Sequence, residues 1–246
     1  CVLAPKMVAV ARHPNIELLT CAEVLSVRGS MGDFRVRILK HPRYVDQRCT
    51  GCGDCVKACP YRSFQSEFDL IKKRTPVYIP FPQAVPSVYV IDGEHCTRCG
   101  NCKVVCEPKA IDLSQRAEQI ELSVGSVIVA TGYELFDASK KAAYGYGAYE
   151  NVITSLEFER ILSASGPTDG HVVRPSDGKI PKKILFINCV GSRDENAKKY
   201  CSRVCCMYSV KEAIIAKEHE PFIEERYVLY TDLRAFGKDF KEYCER

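Results

Sequence analysis

Two four-cysteine runs constrain this chain more than any other feature: Cys49-x2-Cys52-x2-Cys55-x3-Cys59 and Cys96-x2-Cys99-x2-Cys102-x3-Cys106. Three cysteines at two-residue intervals can curl around one face of an iron–sulfur cubane and reach three of its irons. The fourth iron then needs a thiolate from elsewhere. Zinc is the competing reading, but structural zinc sites use paired Cys-x2-Cys knuckles and close at four ligands. Two matching runs favour two [4Fe–4S] clusters. Pro60 follows Cys59 directly, whereas Glu107 stands between Cys106 and Pro108. That difference alters the second turn and removes no ligand.

The same spacing occurs in two-cluster bacterial ferredoxins, where the fourth cysteine of each run ligates the other cluster. On that pattern Cys49, Cys52, Cys55 and Cys106 hold one cluster, and Cys96, Cys99, Cys102 and Cys59 hold the other. Crossed ligation makes each cluster depend on both runs. The expected work of such a chain is the movement of single electrons.

Fifteen cysteines among 246 residues, without a secretory signal, favour metal sites over disulfides and a reducing, cytoplasmic setting. No run of about 18 apolar residues occurs, so no membrane span is expected. The formal charge of +4 counts cysteines as neutral. Each oxidised cluster with four thiolates carries about −2, so three such centres would bring the total to about −2. Lysine and arginine are scattered, and no nucleic-acid partner is expected. The chain starts at Cys1 and stops within a helix-like segment, 240–246, so it reads as a fragment cut at both ends.

Residues 16–39 read as β structure, with strand-like stretches at 17–20 and 22–27, a turn from Gly29 to Asp33, and period-two alternation over 34–39. The ferredoxin region runs from about 44 to 111, with a proline-rich, extended strap at 76–86. Strand signal returns at 120–122 and 124–130. The second of these is apolar on both faces and is expected to be buried. β structure interrupted by a ferredoxin suggests an insertion. The expected partition is 1–43 as a first, β-rich part, 44–115 as the inserted two-cluster domain, and 116–246 as a second part. Beyond Gly132 a helix is expected at 156–163 and a polar loop at 166–179. A buried parallel strand at 183–188, a helix at 205–218 and a strand at 227–230 complete a βαβ unit, hence an α/β fold. The helix is expected to place Val210, Ala213, Ile214 and Lys217 near one face.

That unit carries a third constellation: Cys189 at a strand end, Cys201, and the adjacent Cys205 and Cys206 at a helix start. A helix N-terminus offers free N–H groups and a positive dipole end, which suit an anionic cluster as well as a phosphate. A third [4Fe–4S] site is one reading; core thiols beside an incidental or redox-active pair are the other. The strand is followed by Cys189-Val190-Gly191-Ser192-Arg193-Asp194, not by G-x-G-x-x-G, and that motif occurs nowhere in the chain. Nicotinamide binding is therefore not expected.

Together these residues resemble the A subunit of heterodisulfide reductase and its homologues, along essentially the whole chain. The resemblance rests on residues 1–8, on Arg12-His13-Pro14-Asn15-Ile16, on the inserted ferredoxin, and on Val129-Ala130-Thr131-Gly132. Its most specific part is Cys189-Val190-Gly191-Ser192-Arg193-Asp194 with Cys201-Ser202-Arg203-Val204-Cys205-Cys206-Met207-Tyr208. The resemblance implies a thioredoxin-reductase-like flavin domain that binds FAD, with a further [4Fe–4S] cluster on Cys189, Cys201, Cys205 and Cys206. It implies flavin contacts at Val24, Ala130, Thr131 and Gly132. Lys211 either reaches the flavin or lies on a solvated helix face.

The implied activity is that of an oxidoreductase component that bifurcates or confurcates electrons between a donor, ferredoxin and a disulfide-type acceptor. The implied partners are the disulfide-reducing and iron–sulfur subunits, a hydrogenase or formate dehydrogenase module, and ferredoxin. Homologous subunits of benzoyl-coenzyme A reductase or sulfate-reduction complexes, and a non-catalytic iron–sulfur wiring module, are the alternatives. The family's FAD phosphate loop is absent from this chain, so it is expected to bind FAD poorly alone. Cys21 and Cys244 read as packing or surface thiols, and Cys1 has no tetrad. His13 reads as structural and His95 as a hydrogen-bond neighbour of its run. Glu94 and Arg98 are either potential-tuning charges or parts of a solvated loop.

Overall fold

The computed structural model describes residues 3–62, 64–66 and 72–245. Cys1, Val2 and Arg246, on which parts of the sequence reading fell, lie outside the described residues. The chain divides into two units at Gly132/Tyr133.

The first unit opens with α1 (Leu3–Arg12), none of whose residues is buried. Then come β1 (Ala22–Ser30), β2 (Asp33–Lys40), α2 (Asp54–Ala58), β3 (Phe64–Gln65), β4 (Lys73–Arg74), β5 (Val77–Tyr78), β6 (Val90–Ile91), α3 (Asn101–Val104) and β7 (Glu118–Val124). β2 is the middle of an antiparallel sheet in the order β1-β2-β7. Its alternation works as the sequence suggests. Phe34, Val36 and Ile38 share one face and stand opposite Val124, Leu122 and Ile120 of β7. β2 precedes the cysteine runs and β7 follows them, so the chain returns to the strand it left. Inside that loop, Val45 bridges Ile111, Asp46 N donates to Ala110 O at 2.9 Å, and Asp112 N donates to Tyr44 O at 2.9 Å. The lobe has its own core: Tyr44, Val45, Val77, Val88, Ile91, Ala110 and Ile111 pack with Cys55 and Cys102.

The second unit begins with two 3-10 turns, Ala138–Lys140 and Ala142–Tyr144, followed by α4 (Ser155–Leu162), β8 (Lys183–Ile187), α5 (Cys205–His219), β9 (Glu225–Leu229) and α6 (Phe240–Glu245). α4 starts where it does because of a capping box. Thr154 Oγ1 accepts from Glu157 N at 3.3 Å, and the Glu157 carboxylate accepts from Thr154 N at 2.6 Å. β8 and β9 pair in parallel from Lys183↔Glu225 to Ile187↔Leu229, with α5 between them in sequence. Phe158, Ile161, Leu162, Val172, Phe186, Ala216 and Ile223 form the core. Ile161 and Ile223 are fully enclosed, and burying each contributes roughly 1.5–3 kcal/mol.

Several expectations need correction. The apolar run 124–130 is not a buried strand. β7 ends at Val124, and Val127, Ile128 and Val129 are 41%, 90% and 78% exposed. Apolar character favours burial only where a partner surface exists, and no strand pairs with this run among the described residues. Residues 17–20 form no strand; β1 begins at Ala22, opposite Lys40 at the end of β2. The β-rich first part also carries a helix, α1. β8 is parallel, as expected, but buried on one face only, with Leu185 and Ile187 exposed. The buried residues of α5 are Cys205, Cys206, Ser209, Glu212 and Ala216; of the expected face, Ala213 packs against the core, Val210 and Ile214 are half-buried, and Lys217 is exposed. Hydropathy missed the inward stripe because Ser209 and Glu212, polar by type, stand on it.

Candidate metal centres

Each cysteine run bends the same way. Gly53 and Gly100 precede α2 and α3 in left-handed conformations, φ 83° and φ 84°. Glycine enters that region without steric cost. The turn lets the second and third cysteines of a run share one side of the chain. Cys55 and Cys102 then sit buried on their short helices.

The two runs exchange their last members. Cys49, Cys52, Cys55 and Cys106 line one small cavity. Cys59, Cys96, Cys99 and Cys102 line another. Apolar side chains back both cavities: Val45 and Ile111 on the first, Val77, Ile91 and Leu113 on the second. Among the described residues, no group of three His, Cys, Asp or Glu side chains is placed to hold a single metal ion. The thiols instead stand around space. Backbone donors already point at two sulfurs: Ala110 N at 3.3 Å from Cys106 Sγ, and Arg98 N at 3.4 Å from Cys96 Sγ. Arg98 also donates to Leu113 O at 3.2 Å and lies over the Tyr44 ring.

Burial pushes the Cys55 thiol up to about 11, with Cys49, Cys102 and Cys52 adding to the rise. Burial also raises Cys102, helped by Cys96, Cys99 and Cys59. A metal or cluster needs thiolates, so loading these cavities would release protons.

In the second unit the chain leaves β8 through Asn188 and turns at Cys189, φ 62°. Gly191 follows at φ 71°, and a Cβ there would stand 2.2 Å from the Phe136 ring. The loop then folds back on itself. Arg193 N donates to Tyr200 O at 3.0 Å, and Ser202 N to Ser192 Oγ at 3.0 Å. These contacts hold Cys201 in the loop just before α5. Cys205 and Cys206 open α5, both buried, and no side chain caps that helix end. Burial raises the Cys206 thiol, while Arg234 N donates to its sulfur at 3.4 Å; Cys205 and Cys189 raise it further. The structure thus brings Cys189, Cys205 and Cys206 together beside free helical N–H groups and ties Cys201 to the adjoining loop.

The other expected cofactor residues are dispersed. Val24 is exposed on β1, and Ala130, Thr131 and Gly132 are exposed in irregular chain, with Gly132 at φ 76°. Lys211 pairs with Glu159 Oε2 at 2.6 Å and lines an open groove with Arg203, Tyr208, Phe236, Phe240 and Tyr243. Cys21 lies 3.9 Å from Arg43 Nη1, and Cys244 lies 3.8 Å from the Met207 sulfur. His95 bonds Asp92 Oδ2 at 2.8 Å, as a structural neighbour of its run would.

A family model for a 4Fe–4S binding domain matches residues 41–64. All of the chain aligns, at 54% identity, with the iron–sulfur A subunit of CoB–CoM heterodisulfide reductase from Methanocaldococcus jannaschii. It aligns at 56% with one such iron–sulfur A subunit of Methanopyrus kandleri, and at 53% with the A subunit of the H2:CoB–CoM heterodisulfide,ferredoxin reductase of Methanothermobacter marburgensis. Along its whole length the chain is similar to heterodisulfide reductase A subunits. It spans 37–38% of the length of these relatives.

Two of these relatives are named as iron–sulfur subunits. What sequence reasoning did not single out is the polar interior of the third constellation. Ser209 Oγ lies 2.6 Å from Asn188 Oδ1, and Ser155 Oγ lies 2.8 Å from Glu212 Oε1. No spacing signal marks these residues, because two helices, α4 and α5, and the residue after β8 contribute them separately. No helix among the described residues is long and apolar enough to cross a membrane.

Proposed function

We propose that this chain is the cluster-bearing part of an electron-transfer subunit in a heterodisulfide-reductase-like oxidoreductase. The observation that carries the reading is the exchange of Cys59 and Cys106 between two four-cysteine cavities. Crossed sets of four thiols, apolar walls and backbone N–H groups aimed at sulfur suit [4Fe–4S] cubanes, whose potentials depend on such hydrogen bonds and on burial. Cys49, Cys52, Cys55 and Cys106 hold one cluster; Cys96, Cys99, Cys102 and Cys59 hold the second. Cys189, Cys201, Cys205 and Cys206 hold a third at the uncapped start of α5. There the helical N–H groups and dipole offset the cluster's negative charge.

On this reading residues 44–115 are a ferredoxin domain inserted between two parts, 1–43 and 116–246, of a thioredoxin-reductase-like flavoprotein. FAD, when bound, would supply the branching of electron pairs into single electrons that bifurcation or confurcation requires. Lys211 offers an ammonium and Tyr208, Phe236 and Phe240 offer apolar faces in the groove that they share, a donor set that suits a planar, electron-rich ring. Val24, Ala130, Thr131 and Gly132, to which the resemblance assigns flavin contacts, are exposed in the first unit. The cellular setting is the reducing cytoplasm. The relatives' names point to hydrogen or ferredoxin as electron sources or sinks and to a CoB–CoM heterodisulfide as acceptor. The partners proposed are the disulfide-reducing subunits, a hydrogenase or formate dehydrogenase module, and ferredoxin.

Iron and acid-labile sulfide, counted on anaerobically purified full-length protein, test the assignment. Cys106→Ser and Cys206→Ser should each lower the count by up to about four irons relative to wild type. They should do so from spectroscopically different clusters. An unchanged count and spectrum in Cys206→Ser would remove the third centre. The same result in Cys106→Ser would remove the crossed ligation.

A further inference from the structure

The buried face of α5 continues past its cysteines. Cys205, Ser209, Glu212 and Ala216 recur at intervals of four, three and four residues, so they lie along one stripe. Glu212 is 1% exposed. Its Oε1 accepts from Ser155 Oγ at 2.8 Å, whereas Oε2 is buried without any partner. A buried carboxylate normally has donors on both oxygens, and leaving one bare is costly. This side chain therefore favours the neutral acid, and burial pushes its titration up to about 7. The helical rise places it roughly 10 Å along the axis from Cys205. Between them Ser209 bonds Asn188, whose Nδ2 is likewise buried and unpartnered.

We propose that Glu212 is the proton acceptor coupled to the cluster held by Cys189, Cys201, Cys205 and Cys206. The inference rests on the third-cluster reading above. When a one-electron donor such as a reduced flavin or ferredoxin reduces that cluster above about pH 7, where Glu212 is ionised, Glu212 takes one proton from hydronium or a buffer acid of the solvent and forms an Oε–H bond. One electron and one proton enter, nothing leaves, and the net charge of the buried region is unchanged. Oxidation returns both. A charge change at this distance in a low-dielectric interior is felt strongly enough to move a carboxyl already near neutrality.

The surroundings leave this role to Glu212. On its own helix, Lys211 lowers its titration; Glu159 of α4 raises it, and the two are paired with each other. Glu157 of α4 is committed to the Thr154 cap and near Tyr146, and Arg160 donates to Ser165 O. β8 and β9 turn Phe186 and Val228 into the core, while Lys183 pairs with Glu225 and Arg226 is exposed. The charged residues of α6, Lys241, Glu242 and Glu245, are exposed. Tyr208, whose titration Ser155 lowers, lines the open groove of the same unit.

The test is a redox titration of the full-length protein, followed by electron paramagnetic resonance across about pH 5.5 to 8.5. The midpoint of this one cluster should be flat below about pH 7, fall as pH rises through the window in which Glu212 ionises, and level off above it. Glu212→Gln should abolish the dependence and leave the other clusters unchanged. Reduced-minus-oxidised infrared spectra of the wild type should show a protonated-carboxyl band on reduction, absent from Glu212→Gln. A normal cluster whose wild-type midpoint ignores pH, or a spectrum without that band, overturns the proposal and leaves the cluster standing. A Cys206→Ser protein that keeps every cluster signal overturns the cluster and this coupling together.

Discussion

The buried carboxyl of Glu212 should make the second unit less stable in alkali than its amide counterpart. Its titration stands near 7 in the folded protein against an ordinary 4.5. Below pH 4.5 both folded and unfolded chains hold the proton, and the residue contributes no pH-dependent difference. Between 4.5 and 7 the unfolded chain releases the proton while the folded chain keeps it, so stability falls as pH rises. Above 7 the penalty is complete. At about 1.4 kcal/mol per pH unit it amounts to about 3 kcal/mol. Glu212→Gln keeps the shape and the Ser155 contact and has no proton to release. The stability gap between variant and wild type should therefore widen by about 2 kcal/mol from pH 5.5 to pH 8.5, with the variant gaining. Anaerobic urea unfolding of both proteins at the two pH values measures it. Equal gaps at both would show that Glu212 ionises freely in the folded state, and the argument from burial would fail.

Thr154→Ala removes the hydroxyl half of the capping box and should cost about 1 kcal/mol, read as a lowered thermal midpoint with cluster content unchanged. Gly191→Ala introduces a side chain at φ 71° against the Phe136 ring. It should cost several kcal/mol or displace the Cys189 turn, and the iron count should fall for the third site alone. A variant that keeps wild-type iron and stability would show that the turn adapts freely.

The cysteine-run lobe was legible because its information is local. Two-residue spacing, a glycine before each short helix and a fourth cysteine three residues on are all visible within a dozen positions. The βαβ unit was legible for a similar reason: 183–188, 205–218 and 227–230 each show one period. What failed depended on neighbours. Nothing in Val127, Ile128 and Val129 says whether another surface covers them. Nothing in the α5 sequence marks Ser209 and Glu212 as inward-facing, because a buried serine or glutamate looks like a solvated one until its partners, Asn188 and Ser155, are placed. They come from 21 and 57 residues away.

The return of the chain from β2 to β7 has a consequence for assembly. Pairing Lys40 with Glu118 closes a loop of residues 41–117, and for a loop of that length the closure entropy is roughly 4 kcal/mol. If two cubanes staple the lobe, as proposed, the Val45–Ile111 bridge is held in place and the sheet has a far shorter gap to close. Iron supply would then act as a folding factor for strands that touch no iron. Starvation for iron should then fray the β1-β2-β7 sheet along with the loss of the clusters themselves.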